Sequence, residues 1–396
     1  MKFLGRGKGL LFLLALTLFV VTACQTPWSG NKEQQIVKSP QKGDNEKVTV
    51  IPQEDSKEYR NIHSDKPSPT RGYIQYGVDN RVDIDEMETG LMRLSKGTYN
   101  PDTYYFQDGR YLTPKDIDGM LARKGDANYP NGLNPPLGKK GDLGERASEN
   151  PKILSYVLEQ DYLKKDSKNT YKLGGISLAI SVNSVYSENL FNKDDGKTYT
   201  ADVTIDQSEA MAKGKEYAKQ VVQRVRKVKG LENVPIFIAL YIESQPGSFI
   251  PGHFYAKANV GSGQYQIDKW ASVNEQYVLF PSTNAAKKFM GDSNKFDKFK
   301  TEVEKYFPNS IGVIGKGFYQ NGEINNLMIT INIRFYDKSE VITFTNYVNA
   351  MLKTKFAFSQ DLPVTIYINS NDQPEAIIVK KSDMDEPFVN VYQDYK

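Results

Sequence analysis

The chain of 396 residues has one cysteine, two histidines and two tryptophans. A single cysteine excludes any disulfide within the chain, and His63 and His253 are too few for the usual Cys/His metal site. Charge of one sign is also lacking: 51 basic residues nearly cancel 48 acidic ones. No long basic block or basic aromatic platform is present, so nothing predicts a nucleic-acid partner. No apolar run reaches the roughly twenty residues that a helix needs to cross a bilayer. What remains is ordinary globular composition, 39% apolar and 25% charged, with length for two or three modest domains. The 25 tyrosines and 19 phenylalanines favour strand-rich structure.

The one cysteine has a telling position. Residues 1–9 carry Lys2, Arg6 and Lys8 with no acid, and the apolar stretch Leu10–Ala23 follows directly. A positive start, a short apolar core and small residues at its end describe an export signal. Val21-Thr22-Ala23-Cys24 match a lipobox: an aliphatic residue, two small ones, then cysteine. In that pattern the thiol receives a diacylglyceryl group and the chain is cut between Ala23 and Cys24. Two acyl chains, at about 0.8 kcal/mol per buried methylene, give a durable anchor where one is marginal. The expectation is a protein held by lipid at the outer face of the cytoplasmic membrane, with lipoprotein-processing enzymes as its first partners.

Residues 1–23 are thus read as the signal and 24–69 as a disordered polar tether, in which KVTVI (47–51) is the one candidate strand. As a flexible coil, such a tether spans tens of ångströms at ~5–6 Å × √n. An N-terminal helical and hairpin segment is predicted over 70–170. Asp83 stands three residues before Glu86 and predicts a capping box, with Met87, Leu91 and Met92 on the buried side. Asp83, Asp85 and Glu86 could also hold a metal, although acids in a first helical turn are expected from the helix dipole alone. Tyr104–Phe106 and Arg110–Leu112 read as a hairpin about Asp108-Gly109, Thr113-Pro114 as a helix start, and KILSYVLEQDYL (151–162) as a helix.

The rest says a similar thing twice. A strand (174–186), a helix (208–228), and strands (234–243 and 253–260) are echoed by a strand (325–336), a helix (339–353), and strands (362–369 and 375–381). Both helices open with Ser-Glu, and both following strands carry an early proline, Pro235 and Pro363. The predicted fold is α+β. Two tandem, duplicated β-α-β-β units (171–262 and 311–396) have antiparallel-rich sheets with helices on one face. A connecting insert (263–310) holds an amphipathic helix with Phe296, Phe299, Val303 and Phe307 in one stripe. GVIGKGFYQNGEI (312–324) predicts a hairpin turned at Asn321-Gly322.

Several stretches together resemble the CamS family, lipoproteins of Gram-positive bacteria identified as sex pheromone precursors. They include the lipobox, RGYIQYGVDNRVDIDEMETGLMRLSKGTYNPDTYYFQDGRYL, LNPPLG, ISLAISVNSVY, YVLFPS and FKTEVEKYFPNSIGVIGKGFY. The resemblance runs from about Thr70 to the C-terminus. It implies that an apolar peptide is released from the end of the signal, here within Leu16–Ala23, LTLFVVTA.

Sequence motifs for catalysis are missing. GxSxG, HExxH, P-loop and GxGxxG patterns do not occur in a supporting context, and no cofactor is called for. The glycines at 312, 315 and 317 fit a close-packed hairpin better than a phosphate cradle. His253 opens a strand, and His63 lies in the tether. The favoured reading is a non-catalytic binding or scaffolding module for a peptide or cell-wall ligand. The alternative is a wall-acting hydrolase using dispersed carboxylates. A solute-binding protein would need more repeated parallel β-α units than this pattern has. Cys24→Ala should leave an unprocessed precursor that takes up no palmitate analogue in metabolic labelling; continued labelling would place the acyl chain elsewhere.

Overall fold

A computed structural model of the chain describes residues 35–38, 45–51, 57–64, 66–70, 72–73, 82–167, 170–306, 312–371 and 373–393. Val21–Cys24 and Phe307 lie outside them. The architecture is α+β, as expected, built on two large sheets. The nine-stranded first sheet runs in the order 35–38, 45–51, 60–64, 105–108, 154–165, 170–182, 236–242, 253–260 and 271–272, the six-stranded second 275–280, 312–320, 323–332, 364–370, 373–380 and 388–391, and 185–192 and 197–204 form a separate hairpin.

The second halves of the two sheets follow the sequence reading closely. In the first, β6 (Thr170–Val182) leads through the hairpin β7 (Val185–Asn192) and β8 (Lys197–Thr204) into a long helix, Gln207–Val225. The chain returns as β9 (Ile236–Ile242), parallel to β6, then β10 (His253–Val260), antiparallel to β9. In the second, β14 (Glu323–Asn332) leads into a helix, Lys338–Thr354. The chain returns as parallel β15 (Val364–Ser370) and antiparallel β16 (Gln373–Lys380). The prolines hold equivalent places: the carbonyl of Pro235 accepts from Ile176 N (3.1 Å) and that of Pro363 from Leu327 N (3.0 Å). Both helices begin two residues before the Ser-Glu pair's glutamate, because Asp206 and Asp337 cap the amides of Glu209 (3.0 Å) and Glu340 (2.9 Å). The connectivity is shared. Helix-on-sheet grammar also recurs in unrelated proteins, so it carries no statement about descent.

The first half corrects three expectations. The segment 151–162 is not a helix: Leu154–Lys165 is strand β5, paired with β6 and with β4 (Tyr105–Asp108). Its residues are buried on both faces, which removes the alternation by which a strand is recognised and leaves a continuous apolar run. The predicted hairpin is also absent, since only its first arm is a strand and its partners are β5 and β3 (Arg60–Ser64). Finally, the segment read as tether contributes β1 (Gln35–Lys38), β2 (Asn45–Ile51, which includes KVTVI) and β3. Because β1 pairs in parallel with β6 as well as with β2, strands β1–β6 close into a ring. Val48 and Ile62 pack there with Tyr105, Leu163 and Tyr171 in a small core of their own. Averaged composition hides such short strands.

Helices cover the first sheet on both faces, against the one-face expectation. Helix α1 (Ile84–Ser95) and its continuation pack on one side, where Tyr99 lies over Gly175 and Phe254 against Gly90. The long helix, α4 in chain order after α2 (Pro114–Leu121) and α3 (Leu143–Glu149), packs on the other, where Gly214 meets Val182 and Tyr255. Helix α2 starts with the capping box of Thr113 and Asp116. The second sheet does have its helices on one face. Its core takes in Phe296, Phe299 and Val303 from α6 (Met290–Glu304), which follows the short α5 (Thr283–Lys288), and Phe344 and Val348 from α7, the helix 338–354. The strand order of residues 263–280 is divided: β11 (Ala271–Ser272) pairs with β10 of the first sheet, and β12 (Glu275–Phe280) with β13 (Gly312–Gln320) of the second. The β13–β14 hairpin turns at Asn321 (φ 53°) and Gly322 (φ 88°), the two left-handed positions of a type I′ turn. The last strand, β17 (Phe388–Val391), edges this sheet.

Tyr99 is a keystone of the first core. Its hydroxyl donates to the carbonyls of Ile176 (2.8 Å) and Pro235 (3.0 Å), and its ring stacks on Tyr162 at 4.4 Å. A Cβ at residue 175 would sit 2.4 Å from that ring. Gly175→Ala should therefore lower stability by about 1–3 kcal/mol through overpacking. Gly291→Ala, where a Cβ meets nothing within 4 Å, should leave the urea midpoint unchanged or slightly raised.

Candidate functional site

The two sheets meet where the start of α1 faces the β9–β10 loop and the β12 edge, and several buried polar groups gather there. Strand β9 is buried at every residue and is followed at once by an acid, Glu243, which is 3% exposed. Its carboxylate accepts from the amide of Asp83 (3.0 Å) and from the Ser181 hydroxyl. Burial pushes the Glu243 carboxyl up to about 8, with the charge of Asp83 adding to the effect and the Ser181 hydrogen bond opposing it. Asp83 does not cap its own helix, contrary to the capping-box expectation. Its carboxylate instead accepts from Gly252 N (2.8 Å), Ser244 N (3.3 Å) and the Tyr241 hydroxyl (3.3 Å), which ties the β9–β10 loop to the start of α1. Only glycine fits at 252, since a Cβ would lie 1.9 Å from the Ile242 carbonyl oxygen.

Nearly three helical turns further on, in the last turn of α1, Arg93 joins the two halves of the molecule. Its Nη2 donates to Glu86 of the same helix (2.9 Å) and to Glu275 of β12 (2.8 Å), and its guanidinium lies 4.4 Å from the Phe318 ring centre. The Tyr277 hydroxyl donates to Glu86, and Gln320 Nε2 donates to Glu275 (2.8 Å). Burial raises the Glu86 carboxyl even so, with Arg93 and Tyr277 working against the shift.

Two adjoining clefts open beside these groups. One, of about 480 Å³, is lined by Asp83, Asp85, Glu86, Tyr277 and Lys316, with Phe249 on its rim at 80% exposure. The other, of about 490 Å³, shares Tyr277 and Pro251 and is lined by Glu243, Asp206 and His253. Burial holds the His253 imidazole below its ordinary value, against the pull of Glu275, so it is neutral at pH 7.

The sequence candidates fare unevenly. Asp83, Asp85 and Glu86 do gather at one cleft but face different partners, and among the described residues no three His, Cys, Asp or Glu are arranged to hold a metal ion. His253 reaches the junction; His63 lies exposed on β3, beside a separate cleft. The aromatic run fills interior space: Tyr104 packs edge-on against Tyr99 (5.2 Å) and Tyr105 against Tyr171 (4.8 Å). Cys24, Ala23, Thr22 and Val21 lie outside the described residues. Sequence reasoning missed Glu243, Arg93, Glu275 and Tyr277. The signal available for the first was an acid closing the apolar strand VPIFIALYIE; the others are joined by tertiary contacts alone.

These clefts belong to a mixed α+β protein with two helix-covered sheets welded through buried polar groups. The model of the CamS family, described as CamS sex pheromone cAM373 precursor, matches residues 66–386. The chain belongs to this family. It is similar in structure to a sex pheromone precursor from Lactobacillus salivarius subsp. salivarius UCC118, with a TM-score of 0.75 and 30% identity over 88% of this chain and 100% of that one. It is also similar to the C-terminal domain of the sex pheromone staph-cAM373 precursor from Staphylococcus aureus, with a TM-score of 0.62 and 29% identity over 78% of this chain and 96% of that one. A comparison with curated proteins finds no match. Among the described residues, no helix is long and apolar enough to cross a membrane.

Glu243 binds its proton more tightly in the folded chain than at its ordinary value of 4.5. The folded state then holds more protons than the unfolded one between pH 4.5 and about 8, so stability falls as pH rises through that window and levels off above it. Buried Glu159, pushed up to about 7 chiefly by its own burial, acts with the same sign. Thermal melts from pH 4.5 to 8.5 should show a declining midpoint, and Glu243→Gln should flatten the decline without abolishing it.

Proposed function

We propose that the protein is a lipid-anchored, extracytoplasmic binding or scaffolding module of the CamS family. Its diacylglyceryl group sits on Cys24, and its cleaved signal peptide ends at Ala23 and acts as a pheromone. The family match supports the precursor half of this reading. The lipobox Val21–Cys24 supports the anchor. Localisation follows as the outer face of the cytoplasmic membrane.

The observation that carries the non-catalytic reading is the state of the Asp83 and Glu243 carboxyl groups at the junction. Asp83 and Glu243 come together at the junction, each lining one of the two adjoining clefts. Yet the Asp83 carboxylate is filled by two amides and a hydroxyl, and its backbone amide donates directly to Glu243. A general acid and base in glycoside hydrolysis stand about 5–9.5 Å apart with room for sugar and water between them. Groups this close and this occupied hold a loop. They favour a rigid recognition surface over the wall-hydrolase alternative.

Mass spectrometry on one culture tests both halves. The membrane fraction should yield a chain beginning at acylated Cys24, and the medium a peptide ending in Ala23. A bare thiol, or residues upstream of Cys24 still attached, would overturn the anchor; absence of the peptide would remove the pheromone.

A further inference from the structure

A third cleft, of about 580 Å³, opens between α2 and the C-terminal end of α4, away from the junction. Its volume falls inside the roughly 300–1,000 Å³ typical of small-ligand clefts. Tyr111, Tyr129 and Val228, each partly exposed, give it an apolar floor over the buried Leu112, Met120 and Val225. Three cations line it against one acid. Arg224 is committed, donating to the carbonyls of Gly119 (2.7 Å) and Asn131. Asp116 is committed too, accepting from the amide (2.9 Å) and hydroxyl (2.6 Å) of Thr113 in the α2 cap. Lys115 and Lys227 are exposed and have no ion-pair partner among the described residues. The cleft therefore presents an apolar surface beneath two uncompensated ammonium groups.

We propose that this cleft binds the carboxylate end of an apolar peptide, and that the peptide cut from the chain's own signal is such a ligand. A small inorganic anion would leave the apolar floor unused, and an uncharged apolar ligand would leave both ammonium groups unmatched. LTLFVVTA has no charged side chain, and cleavage before Cys24 gives it a free carboxylate at Ala23. The start of α2 and the end of α4, both at the cleft, carry opposite partial charges, so the ammonium groups supply the net attraction. The choice of this peptide rests on the cleavage read under the proposed function; the cleft and its preference for an apolar acid do not.

The test uses protein isolated from its own membranes in detergent and LTLFVVTA labelled with fluorescein on the Leu16 amine, read by fluorescence anisotropy. Saturable binding is expected, about tenfold weaker for the C-terminal amide, as two partly exposed charge pairs allow. The double variant Lys115→Ala/Lys227→Ala, altered at exposed positions, should bind acid and amide alike, whereas Lys213→Ala, outside the cleft and paired with Glu216, should keep the difference. Equal binding of acid and amide by the unaltered protein, or no saturable binding, overturns the proposal. So does displacement by octanoate as effective as by unlabelled peptide, which would mark a general aliphatic-acid site. If binding is found but mass spectrometry shows no cleavage at Ala23, the anchor and pheromone reading fails and the cleft stands as a peptide site.

Discussion

Arg93 is the charge on which the union of the two sheets depends. Glu86 and Glu275 are both nearly buried, one on the helix of the first sheet and the other on the edge strand of the second. Each alone would be costly to keep ionised away from water, and together they would repel. A single guanidinium reaches both and lies against Phe318, so its planar fork and its flat face are used at once. Buried ion pairs of this kind add little net stability compared with apolar packing, but removing one member strands the others. Their contribution is to fix how the halves sit, and the clefts at the junction inherit their shape from that choice.

The same logic extends through Asp83. A residue placed to cap α1 gives up its own helix end to secure the β9–β10 loop. Glu243 completes the tie from the strand side with its proton retained. Polar groups here are drawn into holding backbone in place, and the surfaces they leave, with Phe249 projecting and His253 uncharged, are suited to recognition.

Legibility in the sequence followed local physics. Helices α4 and α7, the strand pairs after them, and the Asn321-Gly322 turn were readable because each carries its own periodicity, cap or turn residues. Strand β5 was misread because burial on both faces gives a run of apolar residues that fits either element. Strands β2 and β3 were hidden because Val48 and Ile62 gain a core from Tyr105, Leu163 and Tyr171, distant in the chain. The site was the least legible part. Glu275 and Arg93 are 182 positions apart, and nothing in either neighbourhood announces the other.

The parallel pairing of β1 with β6 bears on mechanics. A pull on β1 is met by hydrogen bonds both to β2 and to β6 of the first sheet. Load along such a strand shears a row of bonds together and does not peel them one at a time. A load borne by β1 would therefore strain the ring of β1–β6 before it reached the junction clefts.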